Sequence, residues 1–254
     1  MDNPLTIKGH PHFQFHAECA SSNDLALDWI RQGAPEGALV LCDSQLAGRG
    51  RQGRSWHSPP ACNLYLSRVV WGPAATLPLL SLAGALAIRD AVEAFLPQPV
   101  CARIKWPNDV WVDGAKIAGI LVERGMDPSP LTAACALGMG LNVNLRTDQF
   151  PKHMRSPATS LREVCGHEMD RNSILRAVLE SLERWIHIWR EDADRIAPAM
   201  ASHCMSLGRR VRVSEPGIDP WFGHAQSVEL DGRLLIRDEN GLWRRLSAAY
   251  VDPC

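Results

Sequence analysis

The chain has 254 residues, 46% of them hydrophobic and 22% charged, with a formal net charge of −1. That composition fits a globular protein with one large domain, or a large one and a small one. With no basic surplus it excludes a surface built for nucleic acid or an anionic membrane, so a cluster of arginines has to be a local device.

Eight cysteines are scattered at positions 19, 42, 62, 101, 135, 165, 204 and 254, with no two in a C-x-x-C spacing. Several lie in apolar runs, and they read as buried free thiols of a reducing compartment. Met1 to His16 has no apolar core of signal-peptide length, and no apolar run reads as long enough to span a membrane. A cytoplasmic location is expected.

In chain order, residues 1–11 read as a loose leader. Phe13 and Phe15 alternate with polar residues in a strand pattern. His10, His12 and His16 have mixed spacing and no nearby carboxylate, which reads as coincidence rather than a metal site. Ser21-Ser22-Asn23-Asp24 precedes Leu25, Ala26, Trp29 and Ile30, with Gly33 beyond, the pattern of a capped helix with a glycine stop. Capping alone would account for the two serines. Ala38 to Cys42 is a short buried strand.

Gly48-Arg49-Gly50-Arg51-Gln52-Gly53-Arg54-Ser55-Trp56-His57 follows. Glycine lets backbone turn tightly and approach a ligand, and arginine offers a planar fork of donors for phosphate or carboxylate. Three cations this close repel one another, so the loop suits an anion; a solvated basic loop is the alternative.

Asn63 to Trp71 reads as a strand. A helix from about Leu77 to Phe95 is apolar nearly all round and is therefore largely buried, with Pro97 and Pro99 ending it. Arg103 to Lys105 is a strand running into Trp106-Pro107-Asn108-Asp109. Asp113-Gly114, between apolar runs, predicts a hairpin joining Val110–Val112 to Lys116–Glu123. Leu131 to Asn144 is a further strand whose glycines mark a close approach of ligand or backbone. Residues 145–158 have no periodicity and read as a mobile loop. Thr159 to Val164 starts a short helix. A long amphipathic helix carries Ile174, Val178, Leu182, Trp185 and Trp189. Pro198 interrupts a last helical segment ending near His203. From Leu207-Gly208 short strands and tight turns take over, giving a β module of about fifty residues that is too small for a secure core of its own.

Four polar groups stand out: Ser21-Ser22-Asn23, Gln45 with the 48–57 loop, Lys105 to Asp109, and Lys116. With their surroundings, GRGRQGRSWHSPPACNLYLS, KWPNDV, KIAGILVE and GMGLNVN, they resemble the biotin protein ligases. Motifs in this order, spread over most of residues 21–161, are far more specific than any one of them. The resemblance implies an α/β (α+β) ligase domain over 1–205. Its mixed, mainly antiparallel sheet would carry flanking helices, similar to class II aminoacyl-tRNA synthetase catalytic domains. A small SH3-like β-barrel would cover 206–254. The segment before Ser21 leaves no room for the helix-turn-helix of the family's repressor members, so no nucleic-acid partner is expected, and no membrane.

The implied reaction has two steps. The biotin carboxylate attacks the α-phosphate of ATP, giving biotinyl-AMP and pyrophosphate; a lysine of a biotin carboxyl carrier protein or domain then displaces AMP. Two anions must meet in the first step, and cations between them offset their repulsion and stabilise the pentavalent phosphorus. Lys116 and Arg51 are the implied catalytic residues. Biotin would be held by Ser21, Ser22, Asn23, Gln45, Gly48, Arg49, Arg51 and Lys116, with Gly119, Gly138 and Gly140 giving close approach. ATP would be held by Arg51, Arg54, Trp56, Asn108, Asp109, Lys116 and Asn142, with Trp56 on the adenine and Asn142 on its edge. Mg2+ would accompany ATP, with Asp109 as a candidate ligand. The alternatives are a lipoate ligase on the same scaffold and a non-catalytic biotin-binding regulator; the family contains monomers and homodimers. Two departures from the family stand out. Ala61-Cys62 replaces a usual glycine and a small or polar residue, and Arg245 to Tyr250 lacks the usual acidic residue, which leaves the C-terminal module's part in acceptor docking open.

Overall fold

The computed structural model describes residues 5, 7, 10–125, 129–215 and 217–254. Its first half is a seven-stranded sheet made of β1 (Phe13–His16), β2 (Leu39–Cys42), β3 (Leu64–Pro73), β4 (Ala102–Lys105), β5 (Asp109–Val112), β6 (Ala115–Arg124) and β7 (Thr132–Leu141). The order is β1-β2-β3-β7-β6-β5-β4. Only the β1–β2 pair is parallel, so the sheet is mixed and mainly antiparallel.

The sheet is covered on both faces, which is why β2 and β3 read as continuous apolar runs rather than alternating ones. Val40, Cys42, Val69, Ala134 and Ala136 pack under α1 (Ser22–Arg31) through Ala26 and Ile30. Leu39, Leu41, Leu66, Val70 and Leu137 face the other way, into the main core with α2 (Leu77–Glu93). Behind α2 lies α4 (Arg171–Glu191), which follows the short α3 (Leu161–Cys165). Enclosure between sheet and helix explains why α2 is apolar all round. Ala74–Glu93 is in fact long and apolar enough to cross a membrane, contrary to the expectation from the sequence, and here it forms the core. Pro198 does not interrupt α5 (Ile196–His203) but sits in its first turn, where a missing N–H costs no helical bond. Asp113 and Gly114 both take positive φ, 47° and 75°, as the tight β5–β6 hairpin requires.

The second half is a five-stranded antiparallel sheet, ordered β11-β10-β9-β8-β12, with β8 (Arg210–Ser214), β9 (Trp221–Val228), β10 (Leu234–Asp238), β11 (Trp243–Leu246) and β12 (Tyr250–Pro253). Val211, Val213, Ala225, Leu234 and Ile236 join the same core as α2. The Trp106 indole N–H donates to the Gly232 carbonyl at 3.0 Å, a second tie between the halves. The module thus leans on the larger body, as its size requires.

The cysteines depart from expectation at one pair. Cys19 and Cys42 form a disulfide, with Cα atoms 6.5 Å apart; the other six are not cross-linked. Parallel pairing sets His16 opposite Cys42, and the chain then turns so that Cys19 lies alongside Gln45.

Candidate active site

The glycine-arginine loop is a miniature hairpin. Arg49 bridges Ser55, the Gly50 N–H donates to the Arg54 carbonyl at 2.7 Å, and the Trp56 N–H donates to the Gly48 carbonyl at 2.7 Å. Its tip turns on Gln52 and Gly53, both at positive φ (58° and 71°). Arg49 anchors it. Two guanidinium nitrogens reach Asp24 at 2.7 and 2.6 Å, and one also meets Glu123 at 3.2 Å. The hydrogen bond from Arg49 holds the Asp24 carboxyl below its usual range. Arg49 is therefore fully occupied by protein carboxylates.

Arg51 and Arg54 are not. Among the described residues neither has a carboxylate within ion-pair distance. Arg51 donates to Asn108 Oδ1 at 3.1 Å, and Asn108 is fixed by donating to the Ile120 carbonyl at 2.7 Å. Burial lowers the Arg51 guanidinium from its ordinary value, opposed by Asp109; arginine remains charged at neutral pH regardless.

These residues border a cavity of about 610 Å³, of a size that takes a small-molecule ligand. At one end lies a polar floor. The Ser22 backbone N–H donates to Gln45 Oε1 at 2.8 Å, and Gln45 Nε2 donates to Ser58 Oγ at 3.0 Å. Ser67 Oγ lies 2.7 Å from Ser22 Oγ and 2.5 Å from Asn23 Oδ1, while Asn23 Nδ2 donates to Glu123 at 2.6 Å. Ser21 stands at the N-cap position of α1 without a side-chain capping bond. Neither serine caps the helix, so capping does not account for them; both are buried and line the cavity.

At the other end Lys116 Nζ lies 2.6 Å from Asp109 Oδ1 and 5.2 Å from the centre of the Trp56 ring. Trp56 rests on the sheet where β6 and β7 carry glycine. A Cβ at Gly140 would overlap its indole, and one at Gly119 would come within 3.2 Å of it. Gly138 leaves room in the same way for Asn23. These glycines make space here for protein side chains that themselves border the cavity. The Trp56 indole N–H is buried with no partner among the described residues.

Residues 145–158 lie over the cavity, with Phe150, Pro151, Met154 and Arg155 in its wall. The end of this segment pairs with Lys116: the Lys116 N–H donates to the Pro157 carbonyl at 2.8 Å, and the Thr159 N–H donates to the Lys116 carbonyl at 3.0 Å.

Of the sequence-derived site residues, Ser21, Ser22, Asn23, Gln45, Arg49, Arg51, Arg54, Trp56, Asn108, Asp109, Lys116, Gly119, Gly138, Gly140 and Asn142 all line this one cavity. Gly48 does not. It is packed behind the floor, where a Cβ would come within 2.7 Å of Ser58 Oγ. The Asn142 side chain is spent internally, donating to the Thr159 carbonyl at 3.0 Å. Ala61 holds a positive φ of 61°, a conformation that disfavours alanine.

Sequence reasoning missed Ser58, Ser67, Arg155, Tyr250 and Asp252. An acidic residue does stand near the C-terminus: Asp252 pairs with Lys105 and, at 3.4 Å, with Arg155. A serine inside the apolar run of β3 was the one available signal for Ser67, because a buried hydroxyl needs a partner. Among the described residues no group of three or more His, Cys, Asp or Glu side chains could hold a metal ion.

Residues 17–142 match the Biotin/lipoate A/B protein ligase family, which sets the class of protein that this fold and cavity define. The relatives narrow it. A biotin--[acetyl-CoA-carboxylase] ligase of Mycobacterium tuberculosis is 36% identical over 225 residues, covering 87% of this chain and 81% of the relative. The bifunctional ligase/repressor BirA of Bacillus spizizenii is 30% identical over 240 residues, covering 93% of this chain and 73% of the relative. Among solved structures, the biotin protein ligase from Aquifex aeolicus in complex with biotin and ATP matches with a TM-score of 0.81 at 25% identity, over 96% of this chain and 100% of that one. The chain belongs to the biotin protein ligases.

Proposed function

We propose that this chain is a cytoplasmic enzyme that activates biotin as biotinyl-5′-AMP and transfers the biotinyl group to a lysine of a carboxylase's biotin carrier domain. Residues 1–205 would form the ligase domain and 206–254 the C-terminal module. The observation that carries the reading is one cavity with two unlike ends: a floor of buried hydroxyl and amide groups, and a cation-rich end where, among the described residues, Arg51 and Arg54 have no carboxylate of their own.

The ureido ring of biotin both donates and accepts hydrogen bonds, which suits Ser21, Ser22, Gln45 and Asn23. A dithiolane has no N–H or carbonyl with which to engage the hydroxyl and amide groups of that floor, and a site built to hydrogen-bond its substrate discriminates strongly against an analogue that cannot. This favours biotin over lipoate. A biotin carboxylate oxygen then meets the α-phosphorus between Lys116 and Arg51. The P–O bond to the leaving pyrophosphate breaks as the acyl-phosphate bond forms, and Lys116, Arg51 and Arg54 hold the negative charge. In the second step the acceptor amine attacks the acyl carbon, AMP leaves with the bonding pair, and the amine proton passes to solvent. Residues 145–158 keep water from the anhydride meanwhile.

Asp109 is the sole carboxylate among the described residues that line the cavity. Magnesium is usually held by one or two carboxylates together with substrate phosphates. The site fits that pattern: Asp109 would hold a Mg2+ brought in with ATP, which would supply further charge neutralisation on the phosphates.

The test is incubation with biotin, Mg-ATP and a recombinant carrier domain, followed by mass spectrometry of the acceptor. One biotinyl amide on a single lysine is expected. An unmodified acceptor under conditions where biotin and ATP both bind would overturn the proposal and leave a non-catalytic biotin-binding protein.

A further inference from the structure

Tyr250 opens β12, the edge strand of the C-terminal sheet, and with Ala249 and Val251 it reaches the wall of the cavity. The Arg54 guanidinium carbon lies 3.4 Å from the centre of its ring, and that of Arg155 lies 3.9 Å away. Both guanidinium carbons thus lie within 4 Å of one ring centre. The phenol ring is shared by two cations, one from the glycine-arginine loop and one from the segment over the cavity.

Two residues further along the strand, Asp252 pairs with Lys105 and Arg155. Arg155 is thus held twice, by the ring and by the carboxylate. Lys105 is also 4.8 Å from the Trp111 ring. The Arg54 guanidinium has the ring alone: among the described residues it makes no side-chain hydrogen bond and no ion pair. Left to themselves, two arginines on mobile stems would separate, since like charges within about 7 Å repel. A ring with a negative face on each side attracts both. The arrangement brings positive charge to the cavity's rim before any ligand arrives, and a polyanion is the ligand that gains from it.

We propose that Tyr250 is a positioning residue that holds Arg54 and Arg155 as a stacked pair for the triphosphate of ATP, with Asp252 fixing the outer arginine, so that the C-terminal module sets nucleotide affinity and leaves biotin affinity alone. This rests on the reading of the cavity as a biotin and ATP site. The floor that would receive biotin is built from Ser21, Ser22, Asn23, Gln45, Ser58 and Ser67, and among the described residues no hydrogen bond joins Tyr250 or its two arginines to any of them.

Three variants separate the ring's electrostatics from its bulk. Tyr250→Phe keeps the π-face and removes only the hydroxyl. Tyr250→Leu keeps apolar volume and strand propensity but offers no π-face. Asp252→Asn removes the charge that fixes Arg155. Pyrophosphate exchange gives KM for ATP and for biotin as well as kcat, and calorimetry gives biotin affinity without nucleotide. Tyr250→Leu is expected to raise the KM for ATP about tenfold, with biotin affinity within twofold of the parent and kcat little changed. Tyr250→Phe should stay within twofold on every measure, and Asp252→Asn should fall between. An unchanged KM for ATP in Tyr250→Leu overturns the proposal. So does equal damage in Leu and Phe, or a parallel loss of biotin affinity. Should the parent protein show no biotin-dependent exchange, the functional reading has failed. Direct binding of ATP to the parent, Leu and Phe proteins then still tests the clamp, by the same tenfold difference or its absence.

Discussion

Replacing Lys116 by alanine removes the ammonium group that lies 2.6 Å from Asp109. In the first step a carboxylate and a phosphate approach each other at this point, and two unit charges at ~4 Å repel by roughly 4 kcal/mol at an effective dielectric near 20. Each 1.36 kcal/mol of barrier is a factor of ten, so adenylate formation should slow by about a thousandfold. The second step is different, because the two anions are already joined in the acyl phosphate. Biotin-dependent exchange of labelled pyrophosphate into ATP measures the first step, and single-turnover transfer from synthetic biotinyl-AMP measures the second. The variant should lose the first by orders of magnitude and the second by much less. Near-normal exchange would refute the role given to Lys116. Equal losses in both steps would show that it maintains the site rather than relieving charge repulsion.

The other predictions rest on separate parts of the molecule. Gly138→Ala would displace Asn23 and Gly140→Ala would displace the Trp56 indole; calorimetry should show the first lowering biotin affinity at least tenfold, and kinetics the second raising the KM for ATP, with thermal melting reporting any general damage. The Asp24 carboxyl is held below its ordinary value of 3.8 by the hydrogen bond from Arg49. The unfolded chain therefore takes up the proton first as pH falls, and the stability due to this pair is complete above that value and lost as pH drops through the lower folded value. Urea midpoints measured from pH 7 to pH 3 should fall less steeply in Asp24→Asn. Reducing the Cys19–Cys42 disulfide, whose sequence separation is 23, should lower unfolding free energy by up to about 3 kcal/mol on the chain-entropy account; an unchanged urea midpoint under dithiothreitol would show that the cross-link contributes nothing.

Much of this was readable in the sequence, and the reason differs from element to element. Helix α4 announced itself because one face is buried and the other wet, so Ile174, Val178 and Leu182 recur at helical spacing. The β5–β6 hairpin was legible because only certain residues tolerate the positive φ that Asp113 and Gly114 adopt. Strand β9 escaped because Gly223 falls inside it and the first two residues, Trp221 and Phe222, are both partly exposed, which blurs the alternation. The polar floor was half visible: Ser22 and Gln45 came from the motifs, whereas Ser67 lies in a run that reads simply as buried strand. Tyr250, Asp252 and Arg155 could not be found locally. Their meaning comes from three distant segments meeting at one rim, and no spacing in the chain encodes that. The Cys19–Cys42 bridge is silent in the same way, because it depends on the parallel register of β1 and β2.

The central claim is that one cavity joins a hydrogen-bonding floor for a ureido ring to a cation-rich end for a triphosphate. Pyrophosphate exchange run in parallel with biotin, with lipoate and with neither acid tests this most directly. The account predicts exchange with biotin, and lipoate no better than the blank. Exchange supported by lipoate and not by biotin would contradict it.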